Sequence, residues 1–206
     1  MHILITAGPT REYFDSVRFV SNNSSGKMGY ALASQAITRG HEVTLVSGLV
    51  ERRVPVGVKM VRVVSAREMF DAAVSAFAVC DAAIMAAAVC DYRPSAQSGE
   101  KMEKSPEPLT ILLEPTDDIC AHLGKIKGKR VVVGFAMEDH DHHHHAEEKL
   151  KRKRCDAIVL NSVANVGGNR GEIEILTATG GWGQPRRGTK AQLASTVIDL
   201  VEDLTG

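Results

Sequence analysis

Residues 21–29 read Ser-Asn-Asn-Ser-Ser-Gly-Lys-Met-Gly and connect a strand-like start, residues 2–6, to a helical pattern over residues 27–39. Small hydrogen-bonding residues that lead directly into a helix form an anion site, because their backbone N–H groups and the positive end of the helix dipole face the same ligand. The spacing matches neither the dinucleotide fingerprint nor the nucleoside triphosphatase loop, since Lys27 is followed by Met28 and no glycine stands five residues before Gly26. The stretch therefore predicts a phosphate site without naming the phosphate.

Short apolar runs alternate with helical patterns along the chain. The predicted strands are residues 3–6, 42–46, 59–63, 82–86, 130–135 and 157–160. The predicted helices are residues 27–39, 66–77, 117–123, 142–154 and 190–204. Strands this apolar favour a Rossmann-like α/β fold of three αβα layers, in which helices cover both faces of a mainly parallel sheet. Ligands bind such sheets at the carboxyl ends of the strands. We expect one crevice, formed by the loops after Thr6, Ala86, Phe135 and Leu160.

Two stretches interrupt this alternation. Residues 90–114 carry three prolines and a polar, charged middle, and a segment of this length is usually a lid or disordered. Residues 167–188 hold seven glycines around a strand-like run, residues 172–177, which predicts a late antiparallel hairpin or a contact between subunits. Neither stretch divides the chain, so we predict a single domain over residues 1–206.

Composition limits the expected partners. The 206 residues carry 25 basic and 25 acidic side chains, so bulk charge gives no support to nucleic-acid or membrane-surface binding. The four cysteines are far apart in sequence beside apolar or small residues, which favours buried reduced thiols over disulfide or metal use. The first strand has no basic leader, and no apolar run reaches the ~18 residues that span a bilayer. We expect a cytoplasmic protein with small-molecule ligands.

Seven blocks of the sequence occur in the order of a known family. They are residues 5–12 (ITAGPTRE), 17–19 (VRF), 21–29 (SNNSSGKMG), 86–93 (AAAVCDYR), 100–101 (EK), 133–136 (VGFA) and 158–161 (IVLN). Together they resemble phosphopantothenate–cysteine ligase, the bacterial phosphopantothenoylcysteine synthetase within the DNA/pantothenate metabolism flavoprotein C-terminal family. In many bacteria this ligase is fused behind a flavin-dependent decarboxylase, and the present chain resembles the ligase half alone.

The resemblance implies a ligation in two steps within coenzyme A biosynthesis. The carboxylate of 4'-phosphopantothenate attacks the α-phosphate of a nucleoside triphosphate, with CTP favoured over ATP, and forms an acyl-nucleotide. The cysteine amine then displaces the nucleotide. Mg²⁺ is the expected cofactor, because two anions must be brought together. The family also implies a homodimer and, as a partner, a separate flavin-dependent decarboxylase.

The resemblance assigns roles to individual residues. Asn22 and Lys101 are expected to act in catalysis. The expected nucleotide contacts are Gly8, Ser24, Gly26, Gly29, Ala86, Asp91, Lys101, Asp118, Ile119, Phe135, Lys149, Lys153 and Asn161. The expected contacts to phosphopantothenate or its acyl-nucleotide are Asn22, Ala87, Ala88, Asp91 and Arg18. Arg18 is expected to reach the substrate of the neighbouring subunit, and no residue is assigned as a metal ligand.

Each assignment has a plainer alternative. Asn22 could be a turn residue, Asp91 a cap, Phe135 a core aromatic, and the lysines solvated. The sequence also departs from the family pattern twice, because Glu103 replaces an expected cation and residues 116–117 are Thr-Asp where relatives commonly have Asn-Pro.

One segment of the chain is rich in histidine. Residues 140–145 contain five histidines, for which adventitious Ni²⁺ or Zn²⁺ binding is favoured over a physiological metal site.

An NAD(P)-dependent oxidoreductase would share the fold, but it would need a glycine fingerprint and a Tyr-x-x-x-Lys pair that the sequence lacks. A non-catalytic nucleotide- or phosphopantothenate-binding protein is the second alternative.

Overall fold

The computed structural model of the protein describes residues 1–138, 140–162, 165 and 167–206. The α-helices in these residues are α1 (Lys27–Thr38), α2 (Ala66–Phe77), α3 (Ile119–Ile126), α4 (His142–Lys153) and α5 (Lys190–Thr205). The strands are β1 (His2–Ala7), β2 (Arg11–Tyr13), β3 (Phe19–Ser21), β4 (Glu42–Ser47), β5 (Lys59–Arg62), β6 (Ala82–Met85), β7 (Tyr92–Pro94), β8 (Leu113–Pro115), β9 (Val131–Glu138), β10 (Ala157–Ser162), β11 (Arg170–Thr177), β12 (Gly181–Trp182) and β13 (Arg186–Thr189). Every predicted helix and strand is present.

The main sheet has the strand order of a doubly wound fold. Six parallel strands lie in the order β5-β4-β1-β6-β9-β10, and β11 adds antiparallel to β10. Counted along the chain, the parallel strands follow the order 3-2-1-4-5-6 of dinucleotide-binding sheets. The connections leave β1 and β6 in opposite directions, so a crevice opens between their carboxyl ends. The predicted hairpin is also present, since β11 pairs antiparallel with β12 and β13.

Helices cover both faces of the sheet, as predicted. Alternate residues of β1 point to opposite sides, so that Ile3 and Ile5 pack with α1 and α5 while Leu4 packs with α2, α3 and α4. All three side chains are fully buried. Burial of each such side chain stabilises the fold by about 1.5–3 kcal/mol, and this fixes the register of the central strand.

The helix predicted at residues 117–123 begins two residues later, at Ile119. The side chain of Asp118 accepts a hydrogen bond of 3.0 Å from the backbone N–H of Ala121, so Asp118 is the N-cap and lies outside the helix. The helix at residues 190–204 begins as predicted, because Thr189 and Gln192 form a capping box.

Two short strand pairs were not predicted. β2 and β3 form a hairpin directly after β1, and β7 pairs with β8 across the base of the predicted lid. The two ends of the predicted lid, residues 90–114, are thus paired strands, and closure of the segment over a ligand stays a prediction. Strands of three residues are too short to produce an alternating pattern, so they could not be recognised from the sequence.

Candidate functional site

The loops after β1 and β6 form one continuous wall at the crevice. The backbone N–H of Ala88 donates to the carbonyl of Gly8 at 2.9 Å, and that of Thr10 donates to the carbonyl of Ala88 at 3.3 Å. The hydroxyl of Thr10 accepts from the N–H of Cys90 at 2.9 Å. The predicted contacts Gly8 and Ala88 are therefore bonded to each other in this wall, and Ala87 and Ala88 line the cavity described below.

Two glycines allow the close packing behind this wall. A Cβ added to Gly29 would lie 2.4 Å from the Cβ of Ala7, so α1 packs directly on β1. A Cβ added to Gly48 would lie 1.8 Å from the carbonyl oxygen of Pro9. Gly48 was not predicted, because a single glycine after a strand reads as an ordinary turn. Gly29 thus lets α1 pack on β1, and its backbone N–H still belongs to the first turn of α1.

The start of α1 has the features of an anion site. Gly26 occupies the N-cap position in the left-handed region, with φ of 70°, and within the described residues no side chain caps the helix. The first turn contains no acidic residue. Ser24 lies beside it, with its Oγ 3.4 Å from the N–H of Gly26. A phosphate would supply the acceptors that these N–H groups need.

Lys27 does not point into this anion site. Its Nζ donates to the carbonyl of Gly167 and, at 2.8 Å, to Oδ1 of Asn169. Lys27 therefore ties the start of α1 to the loop before β11.

Asn22 joins the 21–29 loop to the wall. Its Nδ2 donates to the carbonyls of Ala88 at 3.1 Å and Val89 at 3.0 Å, which uses both amide protons. The residue is exposed at the crevice, so the turn interpretation and the predicted catalytic position are both compatible with its placement.

A cavity of about 230 Å³ lies at the carboxyl ends of β1, β6 and β9. Half of its lining was predicted from sequence, namely Ala87, Ala88, Asp91, Asp118, Ile119, Phe135, Lys149 and Lys153. The rest of the lining is Thr6, Met85, Val89, Thr116, Asp117, Cys120, Gly134 and Ile158. We call this space the central cavity.

Two lysines give the central cavity its positive side. Lys149 and Lys153 are one turn apart on α4, as predicted. The Nζ of Lys153 lies 3.1 Å from Oδ2 of Asp118, whose other oxygen caps α3. Asp118 therefore acts as a helix cap and as a support for Lys153. An incoming phosphate could bind both ammonium groups as point charges.

Thr116 stabilises the rim at a position where the sequence departs from the family. Its hydroxyl donates to the carbonyl of Cys90 at 2.6 Å, and its N–H donates to the carbonyl of Asp91 at 2.9 Å. Both bonds hold β8 against the loop after β6.

Asn161 does not line the central cavity, in contrast to six predicted nucleotide contacts that do, namely Asp91, Asp118, Ile119, Phe135, Lys149 and Lys153. It lines a separate space of about 910 Å³ between α4 and β11, together with His142 and Arg170. Its Oδ1 accepts from the side-chain amide of Asn165, a buried residue that the sequence did not single out. The predicted convergence of four loops is thus corrected, since Leu160 and Asn161 line this second space and β9 continues past Phe135 to Glu138.

Two side chains of the histidine-rich segment lie beside carboxylates. His143 lies 3.0 Å from a carboxylate oxygen of Glu174 and packs on the ring of Trp182, and His144 lies 3.5 Å from Glu148. Within the described ranges, no group of three or more His, Cys, Asp or Glu side chains is placed to hold a metal ion.

Among the residues that the structure describes, no helix is long and apolar enough to cross a membrane.

The buried carboxylate of Asp15 connects Arg18 to the lid segment next to Lys101. Arg18 donates from Nη1 to Oδ2 of Asp15 at 2.6 Å and to the carbonyl of Met102 at 3.0 Å. The N–H of Met102 donates to the same Asp15 oxygen at 3.2 Å. Asp15 was missed because an aspartate in a turn usually serves only its own turn. Here it also holds the lid segment that carries the exposed Lys101.

The pKa of Asp15 reflects this network. Burial favours the protonated form, but three backbone N–H donors and the Arg18 guanidinium outweigh it and lower the pKa from 3.8 to about 2. A lowered pKa contributes stability that is present above pH 3.8 and is lost as the pH falls towards about 2.

We expect Asp15→Asn to loosen the lid. Trypsin should cleave the variant after Lys101 and Lys104 several-fold faster than the wild type at neutral pH, because an amide cannot replace the ion pair with Arg18. The wild type should lose more stability than the variant between pH 3.8 and about 2. Asp203→Asn, an exposed position on α5, is the matched control and should behave as the wild type. Equal lid cleavage in all three proteins would contradict the role of Asp15.

Comparison with known proteins gives consistent matches. The model of the DNA/pantothenate metabolism flavoprotein C-terminal domain matches residues 1–204. The coenzyme A biosynthesis bifunctional protein CoaBC of Vibrio vulnificus strain CMCP6 is 40% identical over 212 residues, which cover 99% of this chain and 52% of that protein. The chain thus spans about half the length of the curated relatives it matches.

Two solved structures share the fold. The C-terminal domain of a CoaBC protein superposes with a TM-score of 0.84 at 36% identity, covering 98% of this chain and 94% of that domain. A Cab2 mutant in complex with phosphopantothenate-cysteine superposes with a TM-score of 0.81, covering 98% of this chain and 87% of that one. Its identity of 15% supports the fold alone.

Proposed function

Because the chain belongs to the DNA/pantothenate metabolism flavoprotein C-terminal domain family, we propose that it is a phosphopantothenate–cysteine ligase that uses CTP in preference to ATP. The observation that carries the proposal is the central cavity. It places Lys149, Lys153 and Asp91 at the carboxyl ends of the parallel strands, where doubly wound folds bind their ligands. Asn22 adjoins its wall through the carbonyls of Ala88 and Val89.

The first half-reaction needs two anions side by side. We assign the triphosphate to the uncapped start of α1 and to Lys149 and Lys153, whose charges offset the repulsion from the substrate carboxylate. A carboxylate oxygen forms a bond to the α-phosphorus, and pyrophosphate leaves. Asp91 is the cavity carboxylate best suited to Mg²⁺, since Asp118 is paired with Lys153 and Asp117 with Arg67. Bound Mg²⁺ would add positive charge along the phosphates.

The second half-reaction needs a dry, oriented acyl group. The cysteine nitrogen attacks the acyl carbon, the nucleotide leaves with the bonding electrons, and the amine releases a proton. We assign Asn22 to orientation of the acyl-nucleotide and Lys101 to closure of the lid over it. A flexible lysine can follow a phosphate through closure, because an ammonium group needs no fixed geometry.

The proposed activity is tested by measuring pyrophosphate release with phosphopantothenate and either CTP or ATP, with and without cysteine. We expect release with CTP in both conditions, and a new amide product by mass spectrometry only when cysteine is present. Binding of CTP without pyrophosphate release would instead support a non-catalytic binding protein. Reduction of NAD(P)⁺ by a candidate alcohol substrate would support the oxidoreductase.

We also propose that two subunits share each site through Arg18. Arg18→Ala and Lys101→Ala should each be inactive alone. After subunit exchange, the mixture should recover about a quarter of the wild-type activity, because half of the dimers are mixed and each mixed dimer has one intact site. In the structure, the Arg18 guanidinium donates to the carbonyl of Met102, in the lid of its own chain. No recovery in a mixture that exchanges subunits would show that both residues act within one chain.

The remaining expectations stay predictions. They are a cytoplasmic location and a flavin-dependent decarboxylase as a separate partner.

A further inference from the structure

Two of the four cysteines lie in contact beside the central cavity. The Sγ atoms of Cys120 and Cys155 are 3.4 Å apart and share a hydrogen bond. Cys120 is the second residue of α3 and lines the cavity, whereas Cys155 follows the end of α4. They are 9% and 4% exposed, so the cavity offers the approach to Cys120.

The surrounding backbone is shaped to hold this pair. A Cβ added to Gly134 would lie 3.3 Å from the sulfur of Cys120 and 3.4 Å from that of Cys155. A Cβ added to Gly124 would lie 1.9 Å from the carbonyl oxygen of Lys153, so α3 and the end of α4 already touch. A disulfide requires the sulfurs to approach by about a further 1.4 Å, a distance within reach of side-chain rotation and small backbone shifts.

The two thiols are also electronically different. The hydrogen bond with Cys155 lowers the pKa of Cys120, burial opposes this, and the positive charges of Lys153 and Lys149 lower it further. The same hydrogen bond, together with burial, raises the pKa of Cys155. Cys120 lines the central cavity in the first turn of α3, together with Lys149 and Lys153, so it is the sulfur that a peroxide in the cavity meets first, and Cys155 lies behind it.

We propose that Cys120 and Cys155 are a modification site that a peroxide converts into an intramolecular disulfide. The thiolate of Cys120 attacks one peroxide oxygen, the O–O bond breaks, and hydroxide leaves and is protonated to water. The sulfur of Cys155 then attacks the resulting sulfenic acid, forms the S–S bond and releases a second water. The two thiols lose two electrons and two protons in total, and hydrogen peroxide accepts both.

The disulfide would act on the central cavity. It would join the first turn of α3 to the end of α4, beside the Asp118–Lys153 ion pair, and would fix the cavity lining in one arrangement. This consequence rests on the proposed nucleotide function, whereas formation of the bond does not. A nucleotide in the cavity should cover Cys120 and slow its oxidation several-fold.

Peptide mapping tests the modification directly. The reduced chain is treated with graded hydrogen peroxide, unfolded, alkylated with N-ethylmaleimide and digested. We expect a linked pair of peptides containing Cys120 and Cys155 that dithiothreitol separates, while Cys80, buried to a similar degree, still takes up the reagent. Oxidation of Met137, which is 45% exposed, confirms that the peroxide dose was effective. Oxidised Met137 with both Cys120 and Cys155 fully alkylated would overturn the proposal.

Two cysteine variants test the order of the two oxidation steps, and CTP tests the link to the nucleotide site. Cys155→Ser should leave Cys120 as a sulfenic acid that dimedone traps, and Cys80→Ser should cross-link as the wild type does. If either variant fails to fold, the wild-type peptide map decides the question alone. If saturating CTP, with binding confirmed by calorimetry, leaves the rate of cross-linking unchanged, the link to the nucleotide site is wrong while the disulfide stands.

Discussion

Asn22→Asp is expected to lower amide formation by about 100-fold, the loss that a misplacement of about 1 Å in a reacting group can cause. The carboxylate would face the carbonyl oxygens of Ala88 and Val89, to which Asn22 now donates. It would also repel the acyl-nucleotide. Pyrophosphate release should fall much less, because the triphosphate contacts assigned to α1 and α4 are untouched. Product formed with cysteine and pyrophosphate formed without it are measured separately.

The neighbouring asparagine provides the control for Asn22. Asn23→Asp adds the same charge to the same exposed loop, at a position for which the described contacts include no side-chain hydrogen bond. It should retain both half-reactions. Normal amide product from Asn22→Asp, or an equal loss from Asn23→Asp, would show that the Asn22 side chain has no specific role.

Gly29→Ala is expected to destabilise the protein by about 2 kcal/mol. Overpacking costs about 1–3 kcal/mol, and a Cβ placed 2.4 Å from the Cβ of Ala7 lies at the severe end. The intrinsic helix preference for alanine over glycine, about 1 kcal/mol, offsets part of this cost. Urea unfolding measures the difference. Because α1 must move away from β1, nucleotide affinity should fall as well.

Gly99→Ala is the matched control for Gly29→Ala. A Cβ at Gly99 would meet no atom within 4 Å, and its backbone requires no left-handed conformation. Its stability should change by less than about 0.5 kcal/mol. A stable Gly29→Ala variant would mean that α1 shifts without cost, and the tight contact with Ala7 would then be unimportant.

The sequence predicted the layers of this fold because apolar periodicity depends on burial, and the central strands and one face of each helix are buried. It located Lys149 and Lys153 correctly in one cavity, because residues at i and i+4 of a helix lie on one face. The family resemblance supplied Asp91 and Asn22, since no periodic pattern marks a residue in a loop.

The features that were missed depend on contacts between distant segments. Asp15 binds the lid at Met102, Gly48 makes room for Pro9, and Cys120 meets Cys155. None of these pairs is visible in a local window of sequence. The separation of Asn161 from the central cavity could not be predicted for the same reason, because its surroundings are set by Asn165 and β11.

The strand order that opens the crevice also affects how the chain folds. β1 lies between β4 and β6, yet its start bonds to Asp81, which is 79 positions further along the chain. During synthesis, β1 can pair with β4 while its other edge, lined by buried apolar residues, waits for β6 to emerge from the ribosome. Such long-range pairing slows folding and leaves an exposed edge that can associate with other chains. The central strand that lines the central cavity at Thr6 is therefore also an edge at which nascent chains can aggregate.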